Sequence, residues 1–594
     1  MKPASPPKHE DVRRPRPRGN GRDNKAPADQ ASPTQGPMAT HRMMALAGLL
    51  TLLFKSLIFA PIGWWPLAFV CLTPWLIVVG AAPRAPRVYA HSYLLGIAFS
   101  LINLRWLYDS TGLGYVFLAI YQAAYFPLMA CPIRHAVRRR RLPLAVVVPI
   151  VWTGSEMVRA VALSGFPWFF LSHSLYDVLS LIQISDLVGA YGVSFTVAAV
   201  NGAVADLIFA RWGAVAGPRS ISSTGSARFS RFFAGLLLTG VLVYGWIQLG
   251  RDTITRGPKI AVIQGDYLSL IGGDEASDRE KMNAYLKMME EAAAQRPDVY
   301  LLPETPWIMY LNPEARDLYP MYRESFARLR DHAVSHNAYV VTGSASLELK
   351  PYSLEAKELR YNSAMVFSPD GAEPGRYDKV HLVVFGEMVP FRYGRLRFLY
   401  LWLNRLMPFS GPDGEHEYSL FPGKKFEVFN MTSRESGKFR FGVPICYEDV
   451  MPYVSREFVC GGHSEKRADF LLNISNDGWF GRGVQQPQHL AICVFRAVEN
   501  RVGIARAVNT GISGFIQPDG RLHHLVHGGA VTRPEGNSGF AVAHVGVDSR
   551  RTLYCRYGDW FAWTCAFLWL LLYVDYWVVR ARARDSELAT GVQA

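Results

Sequence analysis

The chain has 594 residues, half of them hydrophobic and 13 % aromatic, with a net charge of +14. That length exceeds one ordinary domain, so at least two are expected. Much of the positive charge lies in a terminal tail and in short loops beside apolar runs, where membrane topology explains it without any nucleic-acid partner.

Residues 1–42 are rich in Pro, Gly, Ala and charge and read as a disordered basic tail. The basic stretch is too long for a cleavable signal peptide, and the apolar sequence after it continues as successive spans. Runs of spanning length lie at about 43–61, 63–81, 90–108, 113–132, 143–162, 180–209 and 232–250, and an eighth lies at 559–579. Arg and Lys crowd the tail, 84–87, 134–141, 211–231 and 580–584. The positive-inside rule puts all five clusters in the cytoplasm, and eight alternating spans satisfy all five. Segment 251–557 is then expected on the far side, the periplasm of a two-membrane bacterium, with the chain a multi-pass protein of its inner membrane.

That segment has the mixed composition of a soluble α/β domain. It opens with the β-type run at 260–263, followed by a helical stretch at 278–295 and a strand at 299–302. Strand-like runs recur at 339–342, 363–367, 439–445 and 470–474, so an α/β sandwich with reactive residues at strand ends is expected. The expected division is a tail at 1–42, seven spans at 43–250, a catalytic domain at 251–557, a last span at 558–580 and a cytoplasmic tail at 581–594.

Three stretches carry chemistry: LLPETPW around Glu304, YDKVHLVVFGE around Lys379, and FGVPICYEDV around Cys446. A strand turning sharply into a helix would expose Cys446 and aim backbone N–H groups at an oxyanion. A thiol is only a few per cent ionised at neutral pH and needs a base, which Glu304 could supply, while Lys379 could stabilise the thiolate and the oxyanion. A lone Cys is more often a small core residue; the two companion motifs reverse that weighting. The seven cysteines form no CxxC pair, so neither a disulfide framework nor a zinc site is indicated, and no metal or other cofactor is expected.

These motifs resemble the Glu-Lys-Cys sites of the nitrilase (carbon–nitrogen hydrolase) superfamily, and SNDGWFG at 475–481 followed by QHL at 488–490 resembles its C-terminal motif. SGFPW at 164–168 between two spans, with the nitrilase-like segment before the last span, is similar to the membrane-embedded apolipoprotein N-acyltransferases. The resemblance implies an α-helical membrane bundle of about eight spans plus an αββα nitrilase-like domain inserted before the last. It implies Cys446 as nucleophile, Glu304 as general base and Lys379 as oxyanion partner, with Glu387, Tyr447 and Glu448 binding substrate or supporting the site. For Glu387 and Glu448 the alternative is a structural carboxylate buried against Lys or Arg; Trp479 and Phe480 read better as core aromatics. Two departures stand out: Asp266 and its neighbours replace the usual Asn-Ile-Pro-Gln, with no Trp between that segment and Trp307, and Val384 replaces a Pro.

The implied reaction is ping-pong, with a membrane phospholipid as acyl donor and the amine of a diacylglyceryl-modified apolipoprotein as acceptor. The chain holds no Walker-type GxxxxGK[ST] sequence, and ester to thioester to amide needs no nucleotide. The apolar, Arg-dotted segment 388–422 is expected either to lie at the membrane interface as an arm admitting acyl chains or to form a buried helix. Rival readings are a membrane-tethered amidase acting on a small substrate and a non-catalytic scaffold or transporter. Seven preceding spans disfavour the first, and the scarcity of intramembrane charge disfavours the second.

Overall fold

Each of the eight apolar runs lies largely on helix in the computed structural model, which describes residues 41–112, 114–216, 224–269, 276–349, 358–392, 394–405, 419–529 and 536–591. Most of the basic tail therefore lies outside the described residues. Five helices are long and apolar enough to cross a membrane: Gly114–Arg138, Leu144–Ser164, Ala190–Trp212, Gly225–Leu249 and Trp560–Arg584. The other three runs lie on His41–Leu57, the shorter Trp65–Ala81, and Ala85–Asn103.

The sixth run departs from expectation. It is not one helix but two single turns, Leu179–Ile182 and Ser185–Val188, and a break at Gly189 before Ala190–Ala216. Gly189 has φ +71°, and a Cβ there would lie 2.8 Å from the Tyr554 ring, so only glycine turns this corner without strain. The soluble domain fixes the break: Glu499 accepts from the Ala190 N–H at 2.9 Å, and Arg501 pairs with Asp186 at 2.6 Å.

Basic clusters gather at one end of the bundle. Arg134 donates to the carbonyls of Val79 and Pro83, and Arg138 to that of Ala82, closing the C-terminal end of the helix Thr73–Ala81. His135 and Arg140 both bind Asp575 on the last helix.

The soluble domain is two six-stranded sheets. Its strands are β1 (Thr255–Gln264), β2 (Val299–Leu301), β3 (Tyr339–Leu349), β4 (Glu358–Phe367), β5 (Gly375–Asp378), β6 (Val428–Ser433), β7 (Gly437–Gly442), β8 (Phe470–Ser475), β9 (Gly503–Val508), β10 (Gly514–Ile516), β11 (Leu522–His523) and β12 (Gly539–Val547). The orders are β12-β1-β2-β3-β4-β5 and β11-β10-β9-β8-β7-β6. Each sheet has a parallel centre, β1-β2-β3 or β7-β8-β9, flanked by antiparallel strands.

Period-two alternation builds the layers. Ile260, Val262, Val299 and Leu301 share the inter-sheet core with Phe441 and Phe470. Their neighbours Ala261, Ile263, Tyr300 and Leu302 face the helices Asp278–Ala293 and Pro320–Ser335. Burying both faces of a mostly apolar sheet between helices and a second sheet is the αββα arrangement.

One covalent link was not expected: Cys460 and Cys555 form a disulfide across 95 residues, joining the end of the helix Pro452–Val459 to the turn before the last helix. No motif or short spacing marks the pair, because only the fold brings the two segments together.

Candidate active site

Reactive side chains collect just beyond the C-terminal ends of β2, β5 and β7, where a sheet leaves an open edge above its last backbone bonds. Glu304 follows β2 and stands next to Gly343 of β3. A Cβ on Gly343 would lie 2.7 Å from the Glu304 Cα, so the close approach of the two strands requires glycine there. Lys379 follows β5 and stays in the sheet through its N–H to the Asn362 carbonyl. Cys446 follows β7 at φ +51° and opens the turn Cys446–Asp449. A non-glycine residue held in the left-handed region costs on the order of 1 kcal/mol or more, and such strain marks sites where a side chain is aimed.

The structure brings Glu304, Lys379 and Cys446 together. Lys379 is 1 % exposed and its ammonium lies 2.9 Å from Glu387 and 3.7 Å from Glu304. The Cys446 thiol is close enough to Glu304 for each to influence the other's charge, and the second oxygen of that carboxylate has no hydrogen-bond partner among the described residues. Burial raises the Glu304 carboxyl above the ordinary range; Lys379 opposes that shift and Glu387 adds to it. Burial would lower the Lys379 pKa, but Glu387, Glu304 and Cys446 outweigh it and hold the ammonium firmly charged. The Cys446 thiol is pushed well above its usual value by burial and then by the Glu304 charge, with Lys379 opposing. The resting site is thus a neutral thiol beside a carboxylate that accepts a proton more readily than an exposed one, with a fixed cation within reach of a developing oxyanion.

Glu387 also accepts from the Val383 N–H at 2.9 Å and from Asn362 at 2.9 Å, so it orients the ammonium. Among the described residues Glu448 forms no ion pair with Lys or Arg. Its carboxylate accepts from the N–H groups of Val380, His381 and Ile445 and from the Tyr377 hydroxyl, all within 3.0 Å. It is a clamp between the Lys379 segment and the Cys446 turn. Tyr447 stacks on His381 and donates to the Gly165 carbonyl of the SGFPW loop at 3.1 Å. Trp479 is 40 % exposed, not a core aromatic, whereas Phe480 packs edge-on against Trp106 of the bundle.

Several participants escaped sequence reasoning. Asn362 donates to both Glu304, at 2.7 Å, and Glu387. Nothing local marks it, because it sits in the polar half of β4 beside Arg360, Tyr361 and Ser363. Behind the thiol, buried His489 lies between Asp449 at 2.7 Å and Asp477 at 2.9 Å, and Arg506 binds Asp449. Asp266, in the departing segment, accepts from the Arg482 side chain and the Asn537 N–H and so fastens two loops. Residues 270–275, the rest of that departure, lie outside the described residues. Val384, the second departure, makes a bridge to Met388 below the Lys379 segment.

Comparison with known proteins gives the family. Residues 48–203 match the family model described as the apolipoprotein N-acyltransferase N-terminal domain, and residues 259–531 match that of carbon-nitrogen hydrolase. An apolipoprotein N-acyltransferase of Geobacter metallireducens is 30 % identical over 547 residues, covering 89 % of this chain and 94 % of that one. The chain belongs to the apolipoprotein N-acyltransferase family. A member from Rhodopirellula baltica is 26 % identical over 88 % of this chain and 95 % of its own. Among solved structures, the nitrilase-superfamily protein Nit3 of Saccharomyces cerevisiae aligns with 50 % of this chain and 92 % of its own at 18 % identity and TM-score 0.33. The protein is an acyltransferase of lipoprotein maturation, built from a helical N-terminal region and a nitrilase-like α/β domain.

Proposed function

We propose that this acyltransferase moves an acyl chain from a membrane phospholipid to the N-terminal amine of a diacylglyceryl-cysteine apolipoprotein, through a thioester on Cys446. The carrying observation is the turn at Cys446, which holds thiol, Glu304 and Lys379 in one site and leans on the membrane bundle through Tyr447 and Gly165. Glu304 takes the thiol proton as the sulfur attacks the ester carbonyl. Lys379 stabilises the tetrahedral oxyanion. Collapse breaks the C–O bond, and Glu304 returns the proton to the departing lysophospholipid hydroxyl. The neutral amine then attacks the thioester, Glu304 accepts its proton, and C–S cleavage with reprotonation regenerates the thiol. Glu387 orients Lys379, while Tyr447 and Glu448 hold the turn.

We also assign eight spans, with residues 251–557 as a periplasmic domain inserted before the last, in a bacterial inner membrane. The gathering of the clusters at 134–141 and around Asp575 at the bundle end away from Gly165 supports this sidedness. The Cys460–Cys555 disulfide supports an oxidising compartment for the soluble domain.

The segment after Glu387 serves as the interfacial arm. Its helix Arg397–Asn404 leaves Phe398, Leu401 and Trp402 at least half exposed and buries Tyr400, which argues against a buried helix. Residues 406–418 lie outside the described residues. Exposed apolar side chains on a short amphipathic helix suit the lipid headgroup boundary.

The test is transfer in two stages. Wild-type protein is loaded from radiolabelled phospholipid, freed of donor, and given a diacylglyceryl-cysteine peptide. Label must leave the protein and appear as amide-linked tri-acylated peptide. Label released only as free fatty acid would support the amidase-type hydrolase instead.

A further inference from the structure

In the described part of the Cys446 site, the cations Lys379 and Arg506 are both engaged by carboxylates, whereas the proposed donor carries a phosphate and the proposed acceptor carries none. A second cluster of charge lies just inside the bundle, at the end facing the soluble domain. Lys55, on the last turns of the helix His41–Leu57, is 2 % exposed and makes no hydrogen bond or ion pair among the described residues. Its ammonium instead points at ring faces, 3.5 Å from the Phe99 centroid and 5.2 Å from that of Phe59.

Lys55 shares a narrow cavity with Gln122, Glu156, Arg159 and Trp168. Glu156 uses one carboxylate oxygen to accept from Trp152 and from the Leu171 N–H; the other has no partner. The Arg159 Nε and Nη2 atoms and both ends of the Gln122 amide are buried without a hydrogen-bond partner. With Lys55 protonated, two cations share the cavity with one carboxylate and it carries an excess of one positive charge. An uncompensated charge and a set of orphaned donors are costly in a membrane-embedded cavity, and one bound monoanion would satisfy both.

The cavity is coupled to the nucleophile through one loop. Phe166 and Trp168, which line it, follow directly on Gly165, whose carbonyl binds Tyr447, and the Phe166 N–H donates to the Arg159 carbonyl. Trp168 also donates to Gln488 at 3.0 Å.

We propose that Lys55 and Arg159 form the binding site for the phosphodiester of the acyl donor. The ligand class is a singly charged phosphodiester, with Gln122 as an additional donor. This rests on the reading of Cys446 as the acylated residue and deepens it: the site recognises the donor alone, and so acts in the first half-reaction and not in the second. On binding, the lysine leaves its aromatic cage for the phosphate. The lysophospholipid product keeps the phosphodiester, so it competes with fresh donor until it leaves.

The experiment compares the full-length wild type, Lys55→Met, Arg159→Met and Arg159→Lys in detergent micelles, reading the rate of Cys446 acylation by intact mass. The donors are phosphatidylglycerol and the phosphate-free diacylglycerol. The methionine variants are expected to lose at least ten-fold with phosphatidylglycerol, to be unchanged with diacylglycerol, and to pass a preloaded acyl group to the peptide amine at the wild-type rate. Arg159→Lys should recover part of the loss. Lysophosphatidylglycerol should inhibit wild-type acylation competitively where equimolar inorganic phosphate does not; equal inhibition by both would assign the site to free phosphate and overturn the donor role. Equal losses with both donors, or no loss with either, would also overturn it. Failure of the wild type to acylate with any donor would instead remove the thioester reading itself.

Discussion

The hydroxyl of Tyr447 donates to the carbonyl of Gly165 at 3.1 Å, tying the residue after Cys446 to the loop that ends the helix Leu144–Val161. A nitrilase-like site is thereby registered against the bundle of apolar helices. Tyr447→Phe keeps the ring on His381 and removes one hydrogen bond, worth about 1 kcal/mol. Acylation of Cys446 should slow roughly five-fold on that basis, with the unfolding temperature in detergent nearly unchanged. Tyr447→Ala should lose far more, because the stacked ring goes too.

Asn362 is the shared donor to Glu304 and Glu387. Asn362→Asp places a third carboxylate against Lys379, so the Glu304 pKa should rise further by like-charge repulsion. The pH profile of acyl-enzyme formation should move to higher pH, and the rate at neutral pH should fall by about 10² if the loss is near 3 kcal/mol. Asn362→Ala should lower the rate with a smaller shift of the profile.

For Glu304 in the native enzyme the sign is fixed by burial, which raises its pKa. The base is inactive when protonated. Acyl-enzyme formation should therefore increase as pH rises through an ionisation above the ordinary carboxylate range, and Glu304→Gln should abolish that step along with the activity. Stopped acylation reactions across a pH series read both outcomes.

These expectations rest on groups of unequal visibility in the chain. Glu304, Lys379 and Cys446 were readable because each belongs to a short motif, and Glu304 and Cys446 also close strand-like runs. Asn362 was not: it lies 58 residues from Glu304 and 25 from Glu387, and only the antiparallel register of β4 with β3 and β5 brings it between them. The break at Gly189 escaped for a related reason. The run around it is apolar enough to span, and what interrupts it is a carboxylate and a guanidinium from the soluble domain, Glu499 and Arg501. The Cys460–Cys555 disulfide depends on the same long-range placement.

His489 carries a pH-dependent part of the stability. Burial disfavours its charge, yet Asp449 and Asp477 raise its pKa to about 9. The folded value exceeds the unfolded one, about 6.5, so this contribution is complete below pH 6.5 and disappears as pH rises to about 9. Denaturation in detergent should show stability falling across that window, by on the order of 3 kcal/mol at most. His489→Gln should lower stability at pH 6 and flatten the slope.

The arm makes a different prediction. Phe398 and Trp402 are exposed and make no part of the buried core. Replacing both with Ser should leave the unfolding temperature within a degree or two. It should raise the phospholipid concentration needed for half-maximal acylation in vesicles several-fold, because apolar anchoring at the headgroup boundary is lost. An unchanged vesicle dependence would contradict an interfacial arm.

The central claim is the thioester. Purified wild-type protein and Cys446→Ala are incubated with a phospholipid of defined acyl chains and weighed intact. The account predicts one added acyl mass on the wild type, absent from the variant and released by neutral hydroxylamine. A folded wild type that gains no acyl mass, or a variant that gains it equally, would contradict Cys446 as the carrier.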